Sequence, residues 1–129
     1  MIDFNESMKR LRAVNGYLGC AVLNYSGETL YVDNDNTGTD IPFSASIFND
    51  AYRMVSESSL DVGFSEASSI EAKTHDGHVF LINSAGNFSQ DNFTKINVFA
   101  IFRDDGNVAL AKMIMDKASK SMSEELGRI

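Results

Sequence analysis

Ser69-Ile70-Glu71-Ala72-Lys73-Thr74-His75-Asp76-Gly77-His78-Val79-Phe80-Leu81-Ile82 carries the clearest local signal in the chain. Ile70, Ala72 and Thr74 alternate with Glu71, Lys73 and His75, the pattern of a strand with one face buried. Asp76-Gly77 favours a tight type I′ turn, whose two central residues both need positive φ. His78 to Ile82 then returns as a second strand. The first of the two is the most polar strand in the chain, which places it at a sheet edge. An edge strand leaves backbone N–H and C=O groups unpaired, and a second copy of the chain can satisfy them. Proline at Ala72 is expected to break such pairing, because proline removes a ladder donor.

Upstream, Pro42 suits a first helical turn, and a helix is predicted from there to about Leu60, with Gly63 as its stop. Ile47, Ala51, Met54, Val55 and Ser58 share one face; Phe48 and Tyr52 widen it. Further back, Tyr17-Leu18-Gly19-Cys20-Ala21-Val22-Leu23 is too short and too evenly apolar for a surface helix, and reads as a central strand covered on both faces. Gly19 lets something approach that backbone closely. Ser26-Gly27 turns the chain into a second strand, Glu28 to Asp33. The first element is a helix over about residues 3 to 14. Asp3 and Glu6 have capping-box spacing, Phe4, Met8 and Leu11 form its stripe, and Asn15-Gly16 ends it.

Downstream, a loose segment from Ser84 to Asn92 leads to a fifth strand, Ile96 to Phe102. Asp104-Asp105-Gly106-Asn107 closes it and caps a last helix. Ala111, Ile114, Met115, Ala118 and Met122 make that helix's stripe. Met113 and Met115 point about 200° apart, so one of them must meet a helix, a partner or water. The order is helix, two strands, helix, three strands, helix. That is an α+β pattern: two antiparallel groups of strands in one five-stranded sheet with helices on both faces.

The 129 residues, with no low-complexity linker, fit one domain spanning 1–129. A net charge of -7 disfavours nucleic acid and anionic lipid as partners. No apolar run reaches the roughly 20 residues of a membrane helix, and the N-terminus lacks a signal-peptide pattern. Cys20 is the single cysteine and reads as a small buried hydrophobe. A reducing, cytoplasmic setting follows.

Residue patterns for chemistry are weak. His75 and His78 flank the turn and are expected to face each other, yet no third metal ligand is evident. Asp33-Asn34-Asp35-Asn36-Thr37-Gly38 resembles the start of a calcium loop, but the twelfth position is Ser44 where glutamate belongs. No nucleophile elbow or phosphate-cradling loop is present. The expectation is no catalytic residue, no metal and no cofactor.

Gly16-Tyr17-Leu18-Gly19-Cys20-Ala21-Val22-Leu23 with Gly27-Glu28-Thr29-Leu30 resembles the opening of the Roadblock (dynein light-chain) family. Ile96 to Phe102, followed by Asp105-Gly106-Asn107-Val108-Ala109-Leu110-Ala111, is similar to its last strand and helix start. The resemblance spans about Phe4 to Met122. It implies a profilin- or longin-like, five-stranded antiparallel sheet in the order 2-1-5-4-3, the second helix on one face and the first and third on the other. It implies dimers joined through third strands and second helices. The interface residues are then Ile70, Glu71, Ala72, Lys73 and Thr74 on the strand and Ile47, Ala51, Met54 and Val55 on the helix.

The resemblance also implies partners: itself or a related Roadblock chain, and a small Ras-like GTPase that the domain binds, regulates or activates. A structural subunit without a GTPase is the alternative, and a small-molecule sensor a third. Arg53 is the nearest candidate for an arginine supplied to a GTPase, though a solvated helix charge fits it better. Activators in the family can carry a C-terminal extension, which the short stretch to Ile129 does not offer.

Overall fold

The computed structural model describes residues 2–34, 38–89 and 92–128. Asp35, Asn36 and Thr37 of the calcium-like loop lie outside the described residues.

The first helical stretch is two short helices, α1 (Phe4–Ser7) and α2 (Lys9–Arg12). Met8 interrupts the expected continuous helix with φ -100° and ψ 1°, and its side chain is fully buried. The Asp3 half of the expected capping box is present: the Asp3 carboxylate accepts from the Glu6 N–H at 3.1 Å. Strands β1 (Tyr17–Leu23) and β2 (Thr29–Asn34) follow. α3 (Ile41–Asp61) holds Pro42 in its first turn and is capped by Asp40, which accepts from the Phe43 N–H. Next come β3 (Ser69–Lys73) and β4 (His78–Ala85). Of the segment expected to be loose, the first residues instead extend β4, and β5 (Phe88–Ser89) pairs antiparallel with β6 (Asn92–Phe93); Gln90 and Asp91 lie outside the described residues. β7 (Ile96–Arg103) and α4 (Val108–Leu126) complete the order. Asn107 caps α4 by accepting from the Leu110 N–H.

The main sheet is antiparallel, in the order β2-β1-β7-β4-β3. Counting its five strands alone, that is 2-1-5-4-3. β1 and β7 lie inside it, which is why their side chains are buried on both faces. On one face Cys20, Val22, Val79, Leu81, Val98, Ala100 and Phe102 meet α1, α2 and α4. On the other, Ala21, Leu23, Ile82, Phe99 and Ile101 meet α3. Gly19 does admit a close neighbour: a β-carbon there would lie 2.8 Å from Ile41 Cδ1 of α3. On α4, Met115 is buried and Met113 is 62% exposed, so Met113 is the one turned away from the sheet.

The β3–β4 turn differs from expectation. Thr74 N–H donates to the His78 carbonyl (2.9 Å), and Gly77 N–H to the Thr74 carbonyl (3.3 Å). The loop is therefore three residues, His75-Asp76-Gly77, with Gly77 at φ 88°. That is a turn followed by a glycine bulge, not a two-residue type I′ turn. His78 faces Thr74 rather than His75. Its Nδ1 instead meets Asp76 Oδ1 at 3.1 Å. Among the described residues no three metal-binding side chains gather.

Candidate interaction surface

β3 ends the sheet, so one of its sides faces no strand among the described residues. Ladder bonds in an antiparallel pair alternate between neighbouring residues. Thr74 bonds His78, and Ser84 N–H donates to the Ser68 carbonyl. With the unbroken register Ile70↔Ile82 and Ala72↔Phe80, the even-numbered residues spend their N–H and C=O groups on β4. Ser69, Glu71 and Lys73 turn theirs outward. The expectation for proline at Ala72 needs correction on this point: that N–H belongs to the chain's own ladder, and the open donors are those of the odd residues.

The side chains divide likewise. Ile70 and Phe80 pack toward α3, so Ala72, opposite Phe80, lies on that side. Glu71, opposite buried Leu81, lies on the α4 side. It pairs with Lys112 of α4 and sits 3.9 Å from Lys73. Ala72 and Lys73 are exposed, Ile70 partly so, and Thr74 lies just beyond the strand, partly buried.

α3 presents two apolar stripes. Ile41, Ala45, Phe48 and Tyr52 bind the sheet. The stripe expected from spacing points away from it: Ile47 is 48% exposed, Met54 68% and Val55 44%, with Ala51 half-buried beside them. Phe43, one turn before Ile47, extends this stripe at 62% exposure. The sequence reading missed it, although the i, i+4 step back from Ile47 leads straight to it. An amphipathic surface helix normally carries one stripe; the second here has no cover within the described residues.

The two exposed features adjoin. Phe48 stacks on Phe80 of β4 at 4.3 Å and 16°, beside β3. Ala51 lies about 60° round the helix from Phe48, and Val55 about 20°, on the side away from the sheet. An open groove of about 550 Å³, lined by Phe48, Phe80, Thr74 and His78 among others, runs between α3 and the hairpin. The approach to β3 is tied to α3 as well. Tyr52 OH donates to the Ala67 carbonyl (2.8 Å) and Ala67 N–H to Ser56 Oγ (3.1 Å). Lys95 Nζ donates to Glu66 (2.8 Å) and to Tyr52 OH (3.1 Å). Burial opposes the charge on Lys95, but these two hydrogen bonds outweigh it and raise its pKa.

Catalytic candidates fare differently. Cys20 is fully buried, and burial pushes its thiol up to about 11. It stays protonated and out of reach of any substrate. Tyr17 OH donates to Asp33 Oδ2 at 2.5 Å, and burial raises that phenol too. Arg53 is exposed, but its guanidinium lies against Gly27 in the β1–β2 turn, well round the helix from the Ile47–Met54 stripe.

An edge-open five-stranded antiparallel sheet, with one long helix on one face and the terminal helices on the other, is the Roadblock/LC7 fold. The Roadblock/LC7 domain from Streptomyces avermitilis superposes with a TM-score of 0.78 at 14% identity, covering 97% of this chain and 98% of that one. The gliding protein MglB from Thermus thermophilus gives 0.77 at 9% identity, covering 96% and 88%. Myxococcus xanthus MglB gives 0.76 at 11%, covering 99% and 100%. No family model matches the sequence, and no curated protein does. The likeness is therefore one of fold.

Proposed function

We propose that residues 1–129 form a single non-catalytic domain that pairs with itself or a related Roadblock chain and binds or regulates a small Ras-like GTPase. One observation carries the pairing: the open β3 edge lies beside an exposed apolar stripe on α3. Edge and stripe are the two surfaces that the Roadblock resemblance makes the dimer interface. Ile47, Ala51, Met54 and Val55 would meet the second helix, and Ile70, Glu71, Ala72, Lys73 and Thr74 the second strand. The GTPase comes from the same resemblance, supported by a fold shared with MglB. No helix among the described residues is long and apolar enough to cross a membrane. A cytoplasmic setting suits the lone free thiol.

The role proposed is binding or positioning rather than supply of a catalytic arginine, since Arg53 sits off the stripe. The test is a pull-down with a Ras-like GTPase encoded beside the gene, loaded with GDP or with a non-hydrolysable GTP analogue. The regulatory reading expects one form to be retained preferentially. Equal retention of both, or of neither, removes it and leaves a structural subunit.

A further inference from the structure

We propose that the β3 edge is self-complementary in one register, and that its partner is a second copy of this same chain. In this register Ala72 lies opposite the partner's Ala72, and each Glu71 lies opposite the partner's Lys73. The inference rests on the edge-pairing part of the proposed function and adds to it the register and the charge code.

The geometry leaves few choices. Only outward-facing residues can exchange ladder bonds across a new antiparallel joint, so Ser69, Glu71 and Lys73 must face their own kind. A two-fold axis through Glu71 sets that carboxylate against the partner's Glu71. Like charges directly opposite destabilise a sheet. An axis through Lys73 repeats the fault with two ammonium groups. An axis at Ile70 sets Glu71 against the partner's Ser69 and Lys73 against the partner's Ala67, leaving both charges unmatched. An axis at Ala72 alone makes two opposite-charge pairs and no like-charge pair.

Local structure agrees with the last choice. Glu71 accepts from Lys112 at Oε1, while among the described residues its Oε2 has only the distant Lys73 of its own strand at 3.9 Å. Lys73 is 70% exposed and makes no closer ion pair among the described residues. The residue on the axis then forms a non-hydrogen-bonded pair, the closer type, with α-carbons about 4.5 Å apart. Alanine is small enough for that approach beneath two facing helices. Ile70, the apolar alternative for the axis, is already packed against its own core.

Cysteine cross-linking of the full chain tests the register. Non-hydrogen-bonded pairs bring β-carbons within disulfide reach, and Cys20 is fully buried. On mild oxidation Ala72→Cys is expected to give a disulfide-linked dimer on a non-reducing gel, and Ile70→Cys a monomer. Lys73→Glu is expected to weaken the dimer about tenfold, the scale of two lost cross-strand charge pairs. An equimolar mixture of Lys73→Glu with Glu71→Lys should recover the affinity. Cross-linking of Ile70→Cys alone, or of Ile70→Cys only to Ala72→Cys, overturns this register while leaving the dimer standing. An unchanged dimer in Lys73→Glu overturns the charge code. A wild-type chain that is monomeric at tens of micromolar overturns the edge pairing itself.

Discussion

Gly16 and Gly106 touch backbone to backbone: a β-carbon on either would lie 2.7 Å from the other's α-carbon. The contact locks the turn before β1 onto the turn after β7. Asn107 N–H donates to the Asn15 carbonyl and Arg103 N–H to the Gly16 carbonyl, both at 2.9 Å. A β-carbon on Gly106 would also stand 2.3 Å from the Asn15 carbonyl oxygen. The obstacle is backbone on every side and cannot swing away. Gly106→Ala is therefore expected to lower stability by about 1–3 kcal/mol, read as a shift in urea midpoint with unchanged slope. Gly38→Ala, with nothing within 4 Å but φ 72°, isolates the cost of positive φ alone and should cost less.

Cys20 makes stability depend on pH. Its thiol is raised from 9.0 to about 11, burial being the largest cause. A raised folded-state pKa means that the unfolded chain loses this proton first. The stabilising difference is complete below pH about 9 and is lost as pH rises toward 11. Tyr17, raised from 10.0, adds a second loss above pH 10. Urea unfolding between pH 7 and 11 should show stability falling from about 9. Cys20→Ala should flatten the stretch between 9 and 10 and leave the later fall. A flat wild-type profile to pH 11 refutes the assignment.

Element order, the β3 edge and the caps at Asp3 and Asn107 were legible because each depends on local chemistry: apolar runs, alternation, and short polar side chains before helices. β2 as the other edge came only from the strand order that the family resemblance implies. The tip of the β3–β4 hairpin was not. Asp76-Gly77 suits a two-residue turn, but the Thr74 N–H bond to His78 fixes a three-residue loop. A register is a property of two strands and cannot be read from either alone. The hydrophobic stripe of α3 was visible, but the presence of two stripes was not. Both Ile47–Met54 and Ile41–Tyr52 satisfy helical spacing, and only the position of the sheet decides which one is inside. Phe43 escaped for the same reason.

Two substitutions on α3 should separate these stripes. Tyr52→Ala removes a buried ring, its hydrogen bond to Ala67 and the seat of Lys95. It is expected to cost about 3–5 kcal/mol of stability. Met54→Glu changes a side chain that is 68% exposed, so the isolated domain should lose less than about 0.5 kcal/mol. The dimer should weaken strongly, because a carboxylate would be buried against the facing helix. Denaturation at low concentration and sedimentation at tens of micromolar measure the two effects independently. Met54→Glu with intact dimerisation would take the outward stripe out of the interface.

Proline distinguishes the two sides of β3. At Ala72 it removes a donor that the chain's own β4 uses and leaves its acceptor unpaired, so Ala72→Pro should destabilise the folded domain itself, by about 1–3 kcal/mol. At Lys73 it removes an outward-facing donor, and the side chain lost is an exposed one. Edge strands tolerate proline where its nitrogen faces solvent, so the monomer should stay folded while strand pairing between copies fails. The expected result is a native circular dichroism spectrum for Lys73→Pro with monomeric mass at tens of micromolar, where the proposed pairing makes the wild type a dimer. A dimer that survives Lys73→Pro must be held by the outward stripe of α3, which Met54→Glu tests, or by another edge, where β2 exposes Leu30 and Val32 at 37% and 41%.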